Sequence, residues 1–435
     1  MAWRTLEVVQ FIYFGVLIYF FRASNTHAAA PIPLGVNYGT VADNLPPPSE
    51  VVELLKTTII TKVKLFSVDG PILKAFANSG FEIMVGIGDD QIKPLASGGV
   101  SAAKEWVNAN VAPYVPATEI AYLSVGNEVL SASDGEMIWD LQFAMENLYA
   151  ACQELGFLGI KVTTPHSMGL LRSSDPPSNG SFADGAAAIL RPILAFLART
   201  RSPYVANAYP FFGYLSNPNR TNLEYALFGA GETPHYDPVT KLSYDNMFDA
   251  QVDAVYAAIS ALGYDNISVV VGETGWPSLG DEYEPGVSVE NAKAFNSNLV
   301  KRIVSGRGTP ARPGSPVSAY IFALFNEDLK PGAGSERNWG LFAPDKTPVY
   351  DCGIMKLGAT NSSSSPSPSS SSSLSPSLSP SPSSSSSPSL SPSSSSAPSS
   401  SSSSPIAMSS YPSPAPTTAE TDGSPSSAPS TTIQI

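Results

Sequence analysis

The sequence predicts an α/β fold: a closed (β/α)8 TIM barrel followed by a disordered Ser/Pro-rich C-terminal tail. Three observations carry this. Eight short apolar runs alternate with longer helical patterns between residues 31 and 357. The runs are apolar throughout, as in parallel strands covered on both faces. Eight strand–helix units close a barrel, whereas an open dinucleotide-binding sheet would carry GxGxxG after its first strand, and this chain has none there.

The runs come in order. "PLGVNYG" occupies 33–39, "KVKLFS" 62–67, "FEIMVGIG" 81–88 and "IAYLSVGNE" 120–128. "IKVTTPHS" follows at 160–167, "YVANAYP" at 204–210, "ISVVVGETG" at 267–275 and "VSAYIFALFNE" at 317–327. Helical patterns fill the intervals. "SEVVELLKTT" has Ser49 as its expected N-cap behind a row of prolines. "SAAKEWVNANV", "DGEMIWDLQFAMENLYAACQEL", "GAAAILRPILAFLART", "DNMFDAQVDAVYAAISAL" and "VENAKAFNSNLVKRIV" follow later strands. Asp134 and Asp245 stand where acidic residues favour a helix start.

The two ends are of different composition. Arg4, the apolar run Val8 to Phe21 and the small residues Ala28, Ala29 and Ala30 have the layout of a secretory signal peptide over residues 1–30. That run is shorter than the roughly 20 apolar residues of a spanning helix. Residues 358–435 are mostly serine and proline, with no apolar face to offset the cost of ordering them. They are expected to be disordered and O-glycosylated. The polar ending "SSAPSTTIQI" does not fit a lipid (GPI) anchor signal. The sequons at Asn179, Asn219, Asn266 and Asn361 fit an extracellular or cell-wall location.

Charge and side-chain inventory narrow the function. Against 24 Lys and Arg stand 37 Asp and Glu, a net charge of −13, so no nucleic-acid partner is expected. Two cysteines, Cys152 and Cys352, make no disulfide scaffold, and whether they pair is left open. His27, His166 and His235 lack metal-ligand spacing, so no metal and no cofactor is expected. No G-x-S-x-G or P-loop occurs. A monomer is expected.

Three strand runs end on glutamate: Glu128, Glu273 and Glu327. The C-terminal ends of the strands are where barrel active sites lie. A carboxyl group bordering an apolar interior needs a partner or a raised pKa. One such residue alone reads equally well as a rim ion pair or helix cap. Glu128 and Glu273, each behind an apolar run and a glycine, point instead to a working pair. Two carboxyl groups facing one cleft can protonate a leaving oxygen and attack an anomeric carbon or activate water. Sugar rings pack their C–H faces on aromatic planes, and Tyr38, Tyr209, Phe211, Phe212, Tyr214 and Trp276 cluster at strand ends. Asn127, Lys330 and Glu336 supply polar partners nearby.

The motifs "GVNYG", "SVGNE", "SSDPPSNGSF", "GETGWPS" and "FALFNEDLKPG" with "SERNWGLF" resemble the plant endo-β-1,3-glucanases of glycoside hydrolase family 17. The resemblance runs the length of the barrel. It implies Glu128 as proton donor and Glu273 as nucleophile in a retaining mechanism, with carboxyl groups about 5–5.5 Å apart. It implies cleft roles for Tyr38, Glu327, Lys330 and Glu336; Asn127, Tyr209, Phe212 and Trp276 complete the expected substrate-binding set. The expected activity is a secreted endo-β-1,3-glucanase acting on internal linkages of callose- or laminarin-like β-1,3-glucan. The alternatives are a non-catalytic glucan-binding cell-wall protein, a β-glucan transglycosylase and a mixed-linkage β-glucanase. Departures from the family pattern are Thr40 where glutamine is common, and Lys64 in a strand that usually carries arginine. The six-cysteine binding module and the lipid-anchor signal of many relatives are also missing.

Overall fold

The computed structural model describes residues 33–131, 135–229 and 234–356. The expected signal peptide, the Ser/Pro tail with Asn361, and Asp134 lie outside the described residues. All eight predicted runs form barrel strands, labelled here β1 (Leu34–Tyr38), β2 (Lys62–Leu65), β3 (Glu82–Ile87), β4 (Glu119–Val125), β5 (Lys161–Thr163 and Pro165–Ser167), β6 (Tyr204–Asn207), β7 (Val269–Thr274) and β8 (Ser318–Ile321).

β5 departs from its expected continuous form. It is split at Thr164, and its two pieces serve different neighbours. Lys161–Thr163 pairs with β4, while Pro165–Ser167 pairs with β6. The sheet order is therefore β5–β4–β3–β2–β1–β8–β7–β6–β5, parallel throughout, with one run at both ends. That identity closes the barrel.

Side chains alternate between two cores, because successive strand residues face opposite sides. Met84, Val205 and Tyr320 point inward and pack with Tyr122 and Val270 as a small plug. Leu34, Val36, Val63, Ile83, Val85, Leu123, Ala206 and Val271 point outward, into the far larger cluster shared with the helices.

The helices fall where the patterns put them, among them Gly99–Asn110, Gly135–Glu154, Asp184–Thr200, Met247–Ala261 and Val289–Val304. One cap differs from expectation. The helix Pro48–Lys56 begins after Pro47, with no side-chain cap, so Ser49 lies inside the first turn. Pro48 takes the opening position instead, where its missing N–H would have had no helical partner. Asp245 precedes the cap of Met247–Ala261, where the Asn246 side chain accepts the Asp249 N–H. Cys152 and Cys352 are both buried and free.

Candidate active site

Glu273 owes its direction to a bulge. Strict alternation along β7 would turn Val270 and Gly272 inward and Glu273 outward. Instead, the register with β6 steps from Val271↔Ala206 to Glu273↔Asn207, leaving Gly272 without a partner. Ala206 faces out and Asn207 faces in, so the extra residue swings Glu273 toward the mouth. Re-aiming a side chain beside a site is what such irregularities do. Glu273 is buried, 6% exposed. Lys64 Nζ on β2 donates to its Oε1 at 2.6 Å, and the Tyr209 hydroxyl donates to its Oε2 at 2.9 Å. Lys64 is itself almost fully buried, with its ammonium 4.3 Å above the Phe66 ring. A buried charge is tolerated when paired and hydrogen-bonded, and this pair meets both conditions.

Glu128 stands just beyond β4, on a backbone of unusual shape. Gly126 has φ +65° and Glu128 φ +54°, the left-handed region that a non-glycine residue enters at a cost. Asn207 Nδ2 donates to Glu128 Oε1 at 2.9 Å. Burial and then the negative charge of Glu273 push the Glu128 carboxyl up to about 7, while the Asn207 hydrogen bond and Lys64 pull the other way. The two glutamates thus sit in opposite surroundings. Glu273 is held by an ammonium and a phenol; Glu128 is half-buried, near a like charge, and favours its neutral form. Environments that push two carboxyl groups apart define an acid and a base or nucleophile.

Around the pair the expected residues divide. Tyr209 is buried, and its hydroxyl serves Glu273 directly. Half-buried Phe212 packs with Tyr209 and Trp339. Asn127 is half-buried, and its Oδ1 has no hydrogen-bond partner. Tyr38 is buried edge-on against Phe325, and burial with nearby Asp69 pushes its hydroxyl up to about 12. Lys330 holds its ammonium 4.1 Å from the Phe322 ring centre and 3.5 Å from Glu327 Oε2. Half-buried Glu336 is raised by burial and lowered by Lys330, with Glu284, Glu273 and Glu327 raising it further.

Two expectations need correction. Trp276 does not line the cleft. It is fully buried among Phe211, Tyr214 and Phe295, and its indole N–H is taken by the Gly286 carbonyl. Past the bulge its side chain faces the helical layer. Glu327 is likewise no open sugar ligand. It is 2% exposed, its Oε1 accepts the Val41 N–H at 2.8 Å, and it lies against Gly39, where a Cβ would come within 2.4 Å of its oxygens. It fixes the loop after β1.

Three residues of the site were absent from the expected set. Lys64 could have been found, because a lysine at an inward position of a buried strand demands a buried carboxylate. Asn207 at the inward end of β6 gives no such signal. Trp339 packs on Tyr209 and Phe322, with a buried Nε1 that has no partner. It comes from the loop after β8, whose course the sequence pattern does not reveal.

A carboxyl pair of this asymmetry at the C-terminal mouth of a (β/α)8 barrel defines the chain as a glycoside hydrolase. The family model described as "Glycosyl hydrolases family 17" matches residues 34–354, and the chain belongs to that family. It is 48% identical over 357 residues to the Arabidopsis thaliana protein named "Glucan endo-1,3-beta-glucosidase 7", covering 81% of this chain and 69% of that one. It is 45% identical to "Glucan endo-1,3-beta-glucosidase 14" of the same plant, covering 74% of this chain and 82% of that one. Among solved structures it resembles CJP38, a β-1,3-glucanase and allergen of Cryptomeria japonica pollen. The TM-score is 0.71 at 42% identity, over 74% of this chain and 99% of that one.

Proposed function

We propose that the protein is a retaining endo-1,3-β-glucanase that hydrolyses internal linkages of β-1,3-glucan by double displacement. The observation that carries the mechanism is the unequal setting of the two glutamates. In the first step Glu128, whose carboxyl keeps its proton up to about pH 7, gives that proton to the glycosidic oxygen as Glu273 attacks the anomeric carbon. The C–O bond to the leaving chain breaks and a glycosyl–Glu273 ester forms. In the second step Glu128, now ionised, takes a proton from water, whose oxygen displaces Glu273 and restores the β configuration. Lys64 and Tyr209 hold the Glu273 carboxylate for attack and receive it back as it leaves. Asn127, next to the proton donor, hydrogen-bonds the sugar 2-hydroxyl, where contacts strengthen in the transition state. Phe212 offers the face on which a glucosyl ring packs.

The protein acts outside the cell as a monomer, with no nucleic-acid partner. Asn179, Asn219 and Asn266 are exposed and accept N-glycans. Secretion of a reporter fused to residues 1–30, and loss of a glycan mass on each Asn→Gln change, test these two statements.

The decisive experiment uses Glu273→Gln and the stereochemistry of the first product. Glu273→Gln abolishes laminarin hydrolysis without altering the fold, and the wild type releases the β-anomer first in an NMR time course. Near-wild-type turnover by the variant, or an α-anomer first, overturns the mechanism.

A further inference from the structure

The backbone that carries Glu128 is held by a side chain outside the catalytic pair. Three consecutive residues, Gly126 to Glu128, form the left-handed turn, and each N–H goes to a different support. Gly126 donates to the Ile87 carbonyl at the end of β3 at 2.8 Å. Glu128 donates to the Pro165 carbonyl of β5 at 3.1 Å. Asn127, between them, donates to Oδ1 of Asp89 at 3.0 Å. The outer two acceptors are main-chain atoms that no substitution removes; the middle one is a side chain. Asp89 opens the short helical turn Asp89–Gln91 after β3 and is half-buried. Its Oδ1 packs so closely on Gly126 that a Cβ there would lie 2.9 Å away.

From this geometry we infer that Asp89 is a positioning residue for the proton donor: its carboxylate fixes the strained 126–128 turn and so the reach of Glu128 to the glycosidic oxygen. The inference rests on the proposed acid role of Glu128. A turn with two left-handed residues has little intrinsic preference for its shape and persists where its surroundings over-determine it. Removing the middle support lets Asn127 rotate and carries Glu128 with it. The groups facing the Glu128 carboxyl, namely Glu273 on β7, Lys64 on β2 and Asn207 on β6, are untouched by changes at Asp89.

The test compares Asp89→Ala, Asp89→Asn and Glu128→Gln on two substrates: laminarin, whose leaving sugar needs a proton, and a dinitrophenyl β-1,3-oligoglucoside, whose leaving group does not. Asp89→Ala is expected to lower kcat on laminarin by about 10- to 100-fold, the effect of a small misplacement of a catalytic group, with KM within about twofold. On the activated substrate the loss in glycosylation rate, measured in single turnover, is at least about threefold smaller than on laminarin, what remains being the displaced Asn127 contact. Asp89→Asn keeps an oxygen acceptor at the same place and stays within about threefold of wild type on both substrates. Equal losses for Asp89→Ala on both substrates overturn the inference, since a merely structural role would give that. So does unchanged turnover on laminarin. Glu128→Gln separates the two levels. Should it also lose equally on both substrates, the acid assignment itself fails, and the role of Asp89 with it. Should it discriminate while Asp89→Ala does not, only the role of Asp89 fails.

Discussion

Replacing Lys64 by methionine is the sharpest perturbation the site offers. The Lys64 and Glu273 side chains are 2% and 8% exposed, and their charged atoms are 2.6 Å apart. Removing the ammonium strands a buried carboxylate, with the Tyr209 hydroxyl as its remaining hydrogen-bond donor. Breaking one side of such a pair costs about 3–5 kcal/mol. A domain of this size has an unfolding entropy near 0.7 kcal/mol/K, so the melting temperature should fall by about 4–7 °C. Lys64 also pulls the Glu128 carboxyl down from where burial and Glu273 put it. Without the cation, Glu128 titrates above about 7, and the falling alkaline limb of kcat/KM moves to higher pH. Lys64→Arg keeps the charge and should keep that limb in place, though a planar fork does not reproduce a point ammonium. Differential scanning fluorimetry and a laminarin pH–rate profile read both effects. A Lys64→Met protein that melts within a degree of wild type, with its alkaline limb unmoved, refutes the assigned pairing.

Three further outcomes follow from the same geometry. Glu128→Gln changes stability with a defined sign: the folded carboxyl titrates near 7 against an ordinary 4.5. Wild-type stability therefore falls as pH rises between these values, and the variant should be more stable at pH 8 by at most about 3 kcal/mol and no different at pH 4. Equal wild-type and variant melting curves at pH 8 refute this. Tyr209→Phe deletes the hydroxyl on Glu273 and should lower kcat about 10-fold with little change in KM, as loss of one hydrogen bond to a charged group does; unchanged turnover would show the bond to be idle. Trp276→Ala should cost about 3–5 kcal/mol of stability yet leave KM for laminarin within about twofold at low temperature. A large KM increase in folded protein would return Trp276 to the cleft.

What the sequence made legible was local. Each barrel run is a short stretch with its own pattern, and the glutamates advertise themselves by ending apolar runs. Direction was harder to read. A period of two, applied to "VVVGET", points Glu273 away from the mouth, and the bulge at Gly272 that corrects it depends on the register of a neighbouring strand. The same step sends Trp276 into the helical layer, so an aromatic three residues past the nucleophile looks like a sugar platform and is a core residue. Pairings across the barrel were hidden altogether. Lys64 and Glu273 are 209 positions apart, and Asn207 and Glu128 79 apart. Such contacts follow from closure of the ring, not from any window of sequence. Even so, Lys64 stands out in the sequence as a departure from the family's arginine.

Both ends of the described barrel chain lie at its floor. The Pro33 carbonyl, just ahead of β1, accepts from Ala319 near the start of β8, and Leu34 accepts from Thr61 just before β2. At the other end, the Ile354 carbonyl accepts from Ile59, and the Lys356 N–H donates to Thr57. Both ends thus lie beneath the strands, on the face away from Glu128 and Glu273. Both points of attachment are therefore at the base of the barrel, opposite its mouth. An enzyme immobilised through Pro33 or Lys356 would therefore present its cleft outward to a long polymer, and a short link between those residues would give a circular permutant whose new termini could be opened at a rim loop.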